Sequence, residues 1–181
     1  MICFTVALKV VADICKIEYH TQVFSKAFGS PKLACFTLSL LQILSSNCRN
    51  YYIKETMVNQ KHFETPYNDL LVIVEYCIVA VGGLLVVTAF FRLGWFGTWH
   101  GDHFGLLLDE KVTAFPYNVV EHPMHVGGTL NFLGLALGTR SLVGLLLTMW
   151  VKGVYYVTEL VEGPFTEMIY AKAAGSKKKK N

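Results

Sequence analysis

The stretch LLVIVEYCIVAVGGLLVVTAFF, Leu70 to Phe91, decides the class of this protein. Its one charge is Glu75, and no charge occurs from Tyr76 to Phe91. About 20 consecutive apolar residues form a helix long enough to cross the ~30 Å hydrocarbon core of a bilayer. The stretch therefore reads as a membrane-spanning helix. Inside it, Ala80-Val81-Gly82-Gly83 thins the helix and lets another backbone or a ligand come close.

The rest of the chain fits that reading. Of its 181 residues, 53% are hydrophobic and only 16% charged, with a mean hydropathy of +0.42. Soluble domains run near 25% charged, and disorder requires low hydrophobicity with high net charge. Both classes are therefore excluded in favour of a small integral membrane protein, organised as a single domain over 1–181. Towards the N-terminus, Leu33 to Cys48 is a second uncharged run, between Lys32 and Arg49. Pro31 before it suits a first helical turn, where the missing N–H costs nothing. Towards the C-terminus, Pro123 to Gly138 and Ser141 to Tyr156 are separated by Gly138-Thr139-Arg140 and read as a helical hairpin or a kinked pair. The first residues, MICFTVALKVVADICKIEYH, carry Lys9 and Asp13 within the apolar run. They read as an amphipathic or partly inserted helix that stays on the protein rather than a cleaved signal.

Between these runs, Arg49 to Asp69 is polar and reads as a loop. Arg92 to Glu121 holds Trp95, Trp99 and the charged patch Asp109-Glu110-Lys111. Trp favours the headgroup level, so this segment is expected along an interface. Lys177 to Lys180 close a basic tail, 172–181. The excess of Lys and Arg in the tail and in the 49–69 loop places both in the cytosol. The expected fold is an all-α integral membrane helical bundle with three spanning helices and one N-terminal intramembrane or interfacial helix, or four spanning helices if the N-terminal one crosses. No basic stripe interleaved with aromatics occurs outside the tail, so no nucleic acid is expected as partner. The five cysteines show no C-x-x-C pair and read as free thiols.

Four of the six histidines fall in two i, i+3 pairs, His100/His103 and His122/His125. Membrane di-iron sites need more histidines converging from several segments, so no metal site is assigned. His100 and His103 read as an interfacial pair near Trp99. Around His122 the sequence is Glu121-His-Pro-Met-His-Val-Gly-Gly-Thr. Acid and proline suit a helix start, but Gly127-Gly128 costs about 1 kcal/mol per glycine in a helix. The pair implies close approach by a second helix or a ligand. Glu159 and Glu162 end the last apolar run, and acidic residues on an intramembrane helix are functional candidates, as is Glu75. Tyr155 and Tyr156, one to two turns before Glu162, offer aromatic faces for an organic cation.

Four stretches carry a resemblance: SKAFGSPKLACFTLSL (25–40), GTWHGDHFGLLLDEKVTAFPYNVVEHPMHVGGTLNFLGLAL (97–137), GLLLTMWV (144–151) and EGPFTEMIYAK (162–172). In these strings the chain resembles the phosphatidylethanolamine N-methyltransferases of the phospholipid methyltransferase family, eukaryotic enzymes of the endoplasmic reticulum. The resemblance implies S-adenosyl-L-methionine as methyl donor and a phosphatidylethanolamine-type lipid, or its mono- and dimethyl derivatives, as acceptor on the way to phosphatidylcholine. The family's Gly-x-Gly for donor binding falls on Ala80-Val81-Gly82, where only the second glycine is kept. Its Glu-Glu falls on Glu162-Gly163, where one carboxylate is missing. Its Asp-Asn-Pro-Met-Tyr appears as Glu121-His122-Pro123-Met124-His125.

The reaction implied is in-line methyl transfer from a sulfonium to a neutral amine. An amine with a pKa near 10 is roughly one part in a thousand neutral at pH 7, a cost of about 4 kcal/mol. Alignment supplies about 7–11 kcal/mol of the acceleration. Glu162 is expected as the counter-charge to the donor, and His122, His125 or Glu162 as proton acceptor. Lys178 and Lys179 stand fourth and third from the end, as in dilysine signals for return to the endoplasmic reticulum, which require a cytosolic tail. A related membrane methyltransferase with another acceptor, or a catalytically weak scaffold of the same fold, are the alternatives; oligomeric state is left open.

Overall fold

The computed structural model describes residues 2–108 and 112–178, with side chains from residue 9 to residue 175 apart from 109–111. All regular structure among the described residues is helical: α1 (Ile2–Thr21), α2 (Val23–Ala27), α3 (Pro31–Val58), α4 (Asn68–Thr98), a 3₁₀ turn (Gly101–Phe104), α5 (Pro123–Gly138) and α6 (Leu142–Lys178). The patch Asp109-Glu110-Lys111 and Lys179 to Asn181 lie outside the described residues. The dilysine expectation falls there in part.

The helical stretch Asn68–Phe104 contains a window both long and apolar enough to cross a membrane, with mean hydropathy 2.7 and 11% of the window buried. A core helix of a soluble protein would be mostly covered. Here Leu84, Val87 and Phe91 stand 55%, 51% and 78% exposed. Large apolar side chains are exposed on α3 and α6 too, among them Leu44, Leu146 and Met149.

The chain packs as two compact units. The second in chain order comprises Leu44–Arg92 and Val112–Tyr155. Its core is Ile53, Met57, Phe132, Ala136 and Val151, with Leu135, Leu145, Leu147 and Tyr155 against it. Ile53 and Met57, one helical turn apart, explain why Arg49 to Val58 is helix and not the loop its charges suggest. An apolar i, i+4 pair inside a polar stretch gives α3 a buried face to its end.

α5 starts at Pro123, with His122 as its N-terminal cap residue. It ends in a tight turn in which Arg140 takes φ 50° and Ser141 N–H donates to Ala136 O at 3.0 Å. Buried Ser141 then opens α6, its Oγ accepting from Gly144 N at 3.0 Å. The helical hairpin read at 138–140 is thus a Ser-capped turn. Residues 59–67 are fastened to it by Phe63 N–H donating to Arg140 O at 3.0 Å and by a bond between His62 Nδ1 and Thr139 O.

Between α4 and α5 the contact is made largely by glycine. A Cβ on Gly127 would lie 2.5 Å from Gly82 O, and one on Gly82 would lie 2.7 Å from Gly127 O. Gly134 meets Val79 and Glu75 O, and Gly138 meets the Glu75 carboxylate. Contact positions fall on α4 as they rise on α5, so the helices are antiparallel. Lipid tails are as apolar as Leu, and small residues let helices in a bilayer gain close van der Waals contact instead.

The other unit comprises the described residues of Met1–Ile43, Leu93–Lys111 and Tyr156–Asn181. Glu18, 1% exposed, joins α1 to α2 by accepting from Phe24 N at 2.7 Å, Ser25 N at 2.9 Å and Ser25 Oγ. Ala34, Cys35 and Phe104 form its apolar centre, flanked by Phe24, Leu38, Phe96 and Leu106. Gly94, at φ 67° and ψ −176°, breaks the helical geometry of α4. Past the break, Trp95 Nε1 donates to Ser39 Oγ at 2.9 Å.

Candidate functional site

Each unit holds part of the predicted constellation. In the unit built on Leu44–Arg92 and Val112–Tyr155, Ala80 and Val81 are exposed and Gly82 is buried. Gly82 faces Gly127 and the Asn131 amide, whose Oδ1 is buried without a hydrogen-bond partner. The close approach inferred at both glycine pairs is therefore, at Gly82 and Gly127, that of a second helix. The neighbouring Gly128 faces differently: a Cβ there would make ordinary contact with Tyr155 Oη at 3.5 Å.

His122 and His125 share one face of the α5 start, their rings 6.1 Å apart. His125 lies flat on Tyr155, with centroids 4.4 Å apart and planes 8° apart. One face of the Tyr155 ring is thus covered by an imidazole. Arg49 sits over Phe132 at 5.7 Å, a cation–π geometry. Tyr117, in the segment before α5, has its hydroxyl pKa pushed up to about 12 by burial.

In the unit that contains α1, Glu162 and Gly163 lie on α6, half-buried, just ahead of Pro164. Nothing stands within 4 Å of a Cβ placed on Gly163. Pro164 interrupts the hydrogen-bond ladder of a helix, yet α6 continues to Lys178. The helix therefore does not end at Glu162, where the apolar run stops.

One turn beyond Glu162 on α6, Thr166 Oγ1 donates to Asp102 Oδ2 at 3.2 Å. Asp102 Oδ1 is 2.9 Å from His103 Nδ1. The His103 ring stacks on Phe165 with centroids 5.2 Å apart, and the residue is only 4% exposed. The two histidines stand together, ring centroids 5.6 Å apart, with His103 covered by protein. The 3₁₀ turn between His100 and Gly105, both at positive φ, tucks the His103 ring inward. Gly101 permits the turn, since a Cβ there would lie 2.6 Å from Phe96 O. Sequence reasoning saw the histidines but not the carboxylate between them; the signal was an Asp-His step bracketed by Gly101 and Gly105.

Cys15 of α1 is fully buried in the same unit. Tyr170, whose hydroxyl accepts from Leu108 N at 3.3 Å, has its pKa raised by burial and by Asp102, against a lowering by that backbone bond.

The phospholipid methyltransferase family matches residues 70–173 of the chain. Over 167 residues the chain is 40% identical to a human phosphatidylethanolamine N-methyltransferase, covering 92% of this chain and 84% of the relative. A Neurospora crassa phosphatidyl-N-methylethanolamine N-methyltransferase is 38% identical over 92% of this chain and 81% of its own length. The Saccharomyces cerevisiae enzyme of that name is 32% identical, over 91% and 80%. No solved structure matches significantly. With this extent of agreement, over the helices and the carboxylate-bearing segments alike, the chain belongs to the phospholipid methyltransferase family.

Proposed function

We propose that this membrane enzyme transfers methyl groups from S-adenosyl-L-methionine to the amine of phosphatidylethanolamine and its mono- and dimethyl derivatives, towards phosphatidylcholine. The observation that carries the reading is the agreement, over most of the chain, with relatives named for both the first substrate and its monomethyl form. The exposed apolar flanks support a lipid acceptor entering from the bilayer.

Glu162 serves as the counter-charge to the cationic donor. Gly163 leaves room beside it. The Ala80-Val81-Gly82 stretch contributes to donor binding by holding α5 close through Gly82. His122, His125 and Glu162 are the proton-transfer groups that the sequence itself offers. The protein is a single methyltransferase domain in the endoplasmic reticulum membrane. It crosses three times, or four if α1 spans, with residues 172–181 in the cytosol. The excess of Lys and Arg in the tail supports that orientation.

The test is direct. Protein in detergent is given labelled donor with phosphatidylethanolamine, its monomethyl form or its dimethyl form. Label in the lipid product supports the reading. No transfer to any of the three, from protein that binds donor, defeats it.

A further inference from the structure

Each methyl transfer releases a proton. The lipid ammonium loses H⁺ to a base, the nitrogen lone pair forms the new N–C bond, the S–C bond breaks, and the sulfur keeps that electron pair as a neutral thioether. We infer that His103, held by Asp102, is the base that takes this proton; the inference rests on the methyl-transfer reading above.

A general base needs a fixed tautomer and a fixed orientation. Asp102 Oδ1, 2.9 Å from Nδ1, holds the hydrogen there and leaves Nε2 as the acceptor. Thr166 Oγ1 steadies the other Asp102 oxygen. Phe165 stacks on one ring face, and His100 packs edge-on at 5.6 Å. The hydrogen bonds of His103 to Asp102 engage its backbone N–H and Nδ1, not Nε2. His122, by contrast, is exposed, and His125 lies flat on Tyr155.

The position also suits the substrate. Glu162, the proposed donor carboxylate, lies three and four residues before Phe165 and Thr166 and so shares their face of α6. Glu162 thus lies on the α6 face that carries Phe165, the ring stacked on His103.

The charged and titratable groups around the dyad set its pH response. On α1 they are Cys15, Glu18, and Lys16, Tyr19 and His20, the last three packed on Phe165. On α3 the group is Cys35, buried in one cluster with Phe104. On α6 they are Glu162 and Tyr170, with His100 beside the ring itself.

The test uses His103→Asn in the full-length enzyme in detergent, with donor binding measured alongside. Asn keeps a donor to Asp102 and removes Nε2. With phosphatidylethanolamine, kcat is expected to fall about 10²–10⁴-fold, the usual worth of a positioned base, with donor affinity kept. It should also rise with hydroxide where the wild type has reached its plateau. A second acceptor carries an N-trifluoroethyl headgroup amine, already neutral at pH 7. With it, wild type and His103→Asn should turn over within about threefold of each other. An equal defect with both acceptors, or an unchanged pH profile, overturns the assignment. So does a profile altered by His122→Asn or His125→Asn in place of His103→Asn. Should His103→Asn lose donor binding, Asp102→Asn carries the same two-acceptor comparison. Wild-type enzyme inactive on every lipid defeats the methyl-transfer reading instead, independently of His103.

Discussion

Gly82 of α4 and Gly127 of α5 meet backbone to backbone, each carbonyl oxygen occupying the place where the other's Cβ would stand. Between them they fix the register of an antiparallel pair whose other contacts follow at Val79/Gly134 and Glu75/Gly138.

Gly127→Ala is therefore expected to destabilise the protein by about 1–3 kcal/mol, the cost of overpacking a tight contact. Gly83→Ala, one residue beyond Gly82 and with nothing within 4 Å of its Cβ, should instead gain up to about 1 kcal/mol from helix propensity. Thermal unfolding in one detergent, both variants beside the wild type, measures the contrast.

Glu162→Gln should weaken donor binding by at least tenfold. A hydrogen bond to a charged group contributes about 1.5–3 kcal/mol. Conversely, Gly163→Glu finds open space and should leave the melting temperature unchanged while tightening donor binding. Calorimetric titration of donor into each purified variant decides both.

Glu18→Ala should cost unit integrity around α1 and α2. It removes the acceptor for Phe24 N, Ser25 N and Ser25 Oγ, and each buried donor left unpaired costs about 1–3 kcal/mol. Limited proteolysis should then cut near Gln22, the positive-φ junction, faster than in the wild type.

Tyr117 supplies an alkaline signature. Burial raises its hydroxyl pKa from 10.0 to about 12. Between those values the unfolded chain has shed the proton and the folded one has kept it. The contribution to stability is thus complete below pH 10 and lost as pH rises towards 12. Tyr117→Phe should flatten that part of the decline, read as melting temperature against pH.

Much of the fold was legible where one residue has one strong local preference. Pro31 and Pro123 start α3 and α5 as read, because a fixed φ and a missing N–H suit only a first turn. The break at Gly138-Thr139-Arg140 was equally plain. Arg49 to Val58 was misread because charge was weighed over spacing, and the Ile53/Met57 pair that buries this turn is short. The continuation of α6 through Pro164 was not visible either. At the site, Glu162 stood out, with Glu159 one turn before it, as an acid closing an apolar run. The Asp102–Thr166 bond joins residues 64 positions apart, and no local pattern announces such a partner.

The uncovered flank of α4, with Phe91 at 78% exposure, has a practical corollary at the bench. The purified material will be a particle in which native phospholipid clings to the helices, and that adhering lipid is itself a methyl acceptor. A reaction lacking added substrate is then not a blank: its turnover reports the cargo carried through purification, and it should fade as that cargo is exchanged for an amphiphile without nitrogen.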